Sequence, residues 1–146
     1  MQQNITEFII DPNDIEDIFK DLAHKNPFST KTAYKDFRKE YGEFGDTDFK
    51  GLLTAELQAA YKKVKPGDYI YHCKKEFRIA IVKFRIKDAK ANCGKSGGWR
   101  VVALADEVNG FFYLLALYKH SKGKDDLTQQ EKKKVREMIE EYAKSI

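Results

Sequence analysis

Apolar residues recur at Ile15, Ile18, Phe19, Leu22 and Ala23, the stripe of an amphipathic helix that opens after Pro12-Asn13-Asp14 and stops at Asn26-Pro27. Ser29 or Thr30 caps a second, shorter helical pattern carrying Ala33, Tyr34, Phe37 and Tyr41, which the region from Gly42 to Gly45 ends. A third pattern begins at Asp46 or Thr47. It places Phe49, Leu52, Leu53, Leu57, Ala60, Tyr61 and Val64 on one face and breaks at Pro66-Gly67.

Beyond Gly67 the period changes from helical to twofold. Tyr69-Ile70-Tyr71 and residues 77–86 are rich in aromatic and β-branched side chains, as are residues 99–104 and 111–118. Asn109-Gly110 lies between the last two segments and predicts a tight hairpin, because both residues tolerate positive φ. Thr128-Gln129-Gln130-Glu131 then reads as a capping box opening a final helix, striped by Val135, Met138, Ile139, Tyr142, Ala143 and Ile146. Helices first and strands later predict an α+β domain: a small antiparallel β-sheet flanked by N-terminal helices and a C-terminal helix. Residues 1–146 read as one domain, with residues 1–45 a helical N-terminal extension.

The 146 residues fit one domain, and 42% hydrophobic with 34% charged residues is a globular composition. The apolar stretches at 101–105 and 111–118 fall short of the roughly 18 to 20 residues a spanning helix needs, so no membrane association is expected. The first residues, Met1-Gln2-Gln3-Asn4-Ile5-Thr6-Glu7, show no cationic segment leading into an apolar core, so a cytoplasmic location is expected. With Cys73 and Cys93 as the two cysteines, neither a disulfide framework nor a four-cysteine zinc site can be built.

Charge is unevenly divided. Residues 1–50 hold 7 basic and 11 acidic side chains, whereas residues 74–100 hold 9 basic and 2 acidic. A concentrated cationic segment matches a polyanionic partner, nucleic acid or an acidic protein; the plain alternative is a solvated basic surface. Strand alternation puts Lys83, Arg85 and Lys87 on one side of their strand, and Arg100 on a strand able to lie beside it. The glycine-rich run Asn92-Cys93-Gly94-Lys95-Ser96-Gly97-Gly98 is not a Walker A loop: the position five before Gly94 is Ala89, and the run leads into a strand rather than a helix. Its amides, with Lys95 and Ser96, can still hold a phosphate of a polymer. His24 and His72 lack neighbours at metal-ligand spacing, and no metal or other cofactor is expected.

Four blocks in order carry a resemblance: Lys83-Phe84-Arg85; Gly94-Lys95-Ser96-Gly97-Gly98-Trp99-Arg100-Val101-Val102; Phe112-Tyr113-Leu114-Leu115-Ala116-Leu117-Tyr118-Lys119-His120-Ser121; and Lys124-Asp125-Asp126-Leu127-Thr128. Across about residues 76–130 the chain resembles the RelE/HigB toxins of bacterial type II toxin–antitoxin systems, many of which cut messenger RNA on the ribosome without metal. The ParE branch of the same fold instead poisons DNA gyrase. Two features depart from the family: the chain is longer at its N-terminus, and His120 stands where the Y-x-K-S block usually has lysine.

The resemblance implies a ribosome-dependent endoribonuclease, with messenger RNA and a cognate antitoxin as partners. Cleavage by the internal 2′-hydroxyl needs a base, cations for the charge growing on the phosphoryl oxygens, and an acid for the departing 5′-oxygen. The resemblance gives Arg100 the first claim to charge stabilisation, with Arg85 and Lys95 beside it. His120 titrates near neutrality and is the acid–base candidate, and Tyr118 can stack on a base or donate a proton. Lys83, Lys87, Lys90, Ser96, Lys119 and Lys122 are the expected RNA-binding set. The alternative is a RelE/ParE-fold protein that does not cut: a gyrase inhibitor, or a regulator that binds RNA or protein.

Overall fold

A computed structural model describes residues 5–10, 49–74, 77–86, 99–119 and 128–145. The two helical patterns expected between residues 14 and 45 lie outside the described residues. The described elements are strand β1 (Glu7–Ile9), helix α1 (Phe49–Tyr61), a 3-10 turn (Pro66–Asp68), strands β2 (Tyr69–His72), β3 (Ile79–Ile86), β4 (Trp99–Asp106) and β5 (Phe111–Lys119), and helix α2 (Gln129–Ser145). They form an α+β structure with one five-stranded sheet in the order β1-β5-β4-β3-β2.

The wholly antiparallel sheet expected from the sequence is corrected. Strands β2 to β5 form an antiparallel meander, but β1 runs parallel to β5, with Glu7 opposite Phe111 and Ile9 opposite Tyr113. Three residues are too few to show a period, so the pattern carried no sign of this strand. Parallel pairing requires a long crossover, which the chain between Ile9 and Phe111 provides.

α1 begins and ends close to its sequence signals. Leu53, Leu57 and Tyr61 are buried on its inner face, the i, i+4, i+8 spacing of the predicted stripe. Its last turn tightens through Lys63 N–H to Ala60 O (3.0 Å) and Val64 N–H to Tyr61 O (3.2 Å) before Pro66 forbids continuation. The Tyr61 ring packs 6.3 Å from that of Phe84 and 5.5 Å from that of Phe112. α2 packs on the other face, where the Tyr142 ring lies 5.6 Å from Tyr113. Phe112 and Tyr113 are consecutive in one strand and therefore face opposite ways, so the two helices sandwich the sheet.

This explains β4. As the middle strand with a helix layer on each side, all eight of its residues are buried, and it reads as a nearly continuous apolar run rather than an alternating one. Val101, Val102, Ala103 and Leu104 are inaccessible, and each large aliphatic side chain contributes about 1.5–3 kcal/mol on burial.

The β4–β5 connection spans residues 107–110, with Gly110 at φ 82°, so the Asn-Gly signal holds in a four-residue turn. Asp106 organises it. Its Oδ1 accepts the amides of Val108 (3.0 Å) and Asn109 (2.9 Å), and its Oδ2 accepts Asn109 Nδ2 (2.9 Å) and the Tyr142 hydroxyl (2.7 Å). One inaccessible carboxylate thus fixes both the turn and the C-terminal helix. Gly110 O in turn accepts the Thr6 and Glu7 amides at 2.9 and 3.0 Å, which seats β1.

Candidate nucleic-acid interface

Antiparallel register decides which of the cationic residues can act together. Arg85 lies directly opposite Arg100, and Arg100 opposite Tyr118; one step inward, Lys83 lies opposite Val102 and Val102 opposite Ala116. Residues directly opposite share a face, so Lys83, Arg85 and Arg100 belong to one face, near the end of the sheet where β3 and β5 finish and β4 starts. It is the face that carries Tyr113 and receives α2.

Their environments differ sharply. Arg85 is exposed, Lys83 is half-buried and Arg100 is 2% exposed. Lys83 and Arg100 both have interactions within the protein. Like charges directly opposite each other repel, and the repulsion is greatest where water is excluded. The arrangement therefore drives the Arg85 head outward, where a phosphate can meet it, and leaves Arg100 beneath as a fixed internal charge.

The remaining candidates divide in two groups. Register sets the Cα of Tyr118 beside Arg100 but that of Lys119 beside Trp99, in the row that ends at Ile86. Lys87, Lys90, Lys95, Ser96, His120 and Lys122 lie outside the described residues. Ile86, Trp99 and Lys119 form the last row, and the described chain stops, resumes and stops again there.

A second polar cluster, unforeseen from the sequence, joins β2 to α2. The Tyr71 hydroxyl donates to Glu140 Oε1 at 2.7 Å, the Lys74 amide donates to the same oxygen at 3.3 Å, and the Arg136 guanidinium lies 5.3 Å from the centre of the Tyr71 ring. Burial and the Glu140 carboxylate push the Tyr71 hydroxyl up to about 12. The Tyr71 hydrogen bond, then the Lys74 amide, hold Glu140 below the usual carboxylate range. These residues, with Glu137 and Glu141, line an open groove of about 400 Å³. Deeper in, burial raises the hydroxyls of Tyr61, Tyr69, Tyr113 and Tyr142 above the ordinary tyrosine range.

The signals for these clusters were present but ambiguous. An aspartate three residues before Asn109 is a typical side-chain acceptor for a turn, yet nothing local announces that Tyr142, thirty-six residues on, completes it. Among the described residues no helix is long and apolar enough to cross a membrane. No protein-family model matches the chain, and no curated protein matches it.

Proposed function

We propose that the chain is a RelE-like toxin that cleaves messenger RNA presented by the ribosome, without metal, and is neutralised by a cognate antitoxin. The observation that carries this reading is the shared register row of Arg85, Arg100 and Tyr118, with Lys83 one step inward on the face of the two arginines. It joins two of the sequence blocks that resemble the family into a single cationic end of the sheet. Arg85 and Lys83 are placed to hold the phosphodiester, and Arg100 supplies a preorganised positive charge close below. His120, next in sequence after β5, exchanges the proton between the 2′-hydroxyl and the 5′-oxygen, and Tyr118 orients the base or shares in the proton transfer. Phosphate contacts of this kind position a strand without reading its sequence, so base preference resides elsewhere. An acidic antitoxin segment competes for the same cations.

The test is mapping of message ends after brief induction in a growing bacterium. Translation arrest with new 5′ ends at fixed positions in the reading frame supports the proposal, and Arg85→Ala, Arg100→Ala and His120→Ala should each abolish the breaks. Loss of one preorganised charge-stabilising group corresponds to about a hundredfold to a thousandfold in rate.

One observation favours a second reading. Arg100 is 2% exposed, an unusual environment for a residue that must meet substrate. A protein of this fold that binds gyrase, RNA or another protein without cutting needs only the exposed cations. DNA damage with intact messages, or unaltered toxicity of Arg100→Ala and His120→Ala at normal folding, selects that alternative.

A further inference from the structure

The exposed large hydrophobic residues among those described are Phe77, 72% exposed, and Val108, 39% exposed, and they occupy neighbouring turns. The Glu107 amide donates to Arg78 O at 2.9 Å and ties the β2–β3 turn to the β4–β5 turn at the end of the sheet away from Arg85. The Phe77 backbone is also held from below: its carbonyl lies 3.1 Å from His72 Nδ1, and the His72 ring stacks on Tyr69 with centroids 5.3 Å apart. The ring of Phe77 therefore projects from an anchored backbone.

Charge at this pole is sorted. Lys74 and Arg78 flank Phe77 and are exposed, while the two carboxylates of the neighbouring turn, Asp106 and Glu107, are 0% and 2% exposed. Size separates the possible occupants. A stable protein interface covers about 800 Å² on each partner around an apolar centre, far more than two side chains present. A single aromatic face between two cations is sufficient for one unpaired base, whose phosphates the cations meet.

We propose that Phe77, with Lys74 and Arg78, is a stacking post for an unpaired base of single-stranded nucleic acid. It rests on the nucleic-acid reading above for its ligand class and adds a contact remote from the cationic row. Eight residues of extended chain separate Phe77 from Arg85, about 26 Å, which corresponds to roughly eight nucleotides at the spacing of stacked bases.

A short 2′-O-methyl oligoadenylate, which cannot be cleaved through its 2′-oxygen, tests this with the full chain. Phe77→Leu keeps apolar bulk without a π face and should weaken binding roughly tenfold, whereas Phe77→Tyr should bind as the parent does. Phe77→Trp provides a direct reporter, since the native Trp99 is 1% exposed and shielded from the oligonucleotide; its emission should be quenched on binding. Equal affinity of the parent and Phe77→Leu, or unchanged emission from Phe77→Trp at saturation, overturns the stacking post and leaves the cationic row standing. No binding by the parent overturns both. If Phe77→Leu keeps oligonucleotide affinity but loses a protein partner, the pole is a protein contact and the proposal fails.

Discussion

Asp106 accepts four hydrogen bonds from an inaccessible position, three from its own turn and one from α2. Removing the acceptor strands buried donors in both places, so Asp106→Ala should cost on the order of 3 kcal/mol in urea denaturation. Tyr142→Phe, which keeps the ring against Tyr113 and removes one donor, should cost about 1 kcal/mol. Glu140 provides a pH-dependent counterpart. Its folded carboxyl is held below the unfolded value, so its contribution is fully present above that value and is lost as pH falls through the folded one. Denaturation midpoints followed downward from about pH 5 should therefore fall less steeply in Glu140→Gln than in the parent, the ordinary glutamate value being roughly 4.3. Residues of this kind were hidden in the sequence because their partners are remote: Glu140 meets Tyr71 across sixty-nine positions. Arg100 illustrates the same limit, since alternation revealed its strand companions but not its depth.

At the level of elements, periodicity was a good guide wherever one face is buried. α1, α2 and the four meander strands all lie where their apolar spacing puts them, within a few residues at the ends. Leu57→Ala, at an inaccessible position of α1, should cost about 2–5 kcal/mol in the same denaturation measurement, through reduced burial and the cavity left behind. Gly110→Ala should cost about 1 kcal/mol, because at φ 82° the added Cβ meets the backbone. β1 escaped notice for the opposite reason. A three-residue edge takes its conformation from the strand it joins, and its own sequence carries no alternation long enough to read.

Across the whole molecule, the cations of the central strands gather toward one end of one face, and the exposed aromatic residue lies at the other end. If both ends hold the same strand, affinity for single-stranded RNA should depend steeply on salt. Lys83→Ala with Arg85→Ala should reduce the logarithmic slope by roughly 0.7 for each phosphate no longer neutralised, whereas Phe77→Leu should lower affinity at every salt concentration and leave the slope unchanged. A titration at several ionic strengths distinguishes the two effects. The parallel strand at the sheet margin has a kinetic corollary. Thr6 and Glu7 are held by Gly110, more than a hundred positions away, so an early stretch of the chain has nowhere to dock until a late hairpin has been made. During synthesis the sheet must close from its C-terminal side, and a ribosome stalled before residue 111 would carry a nascent chain whose β1 still lacks its neighbour.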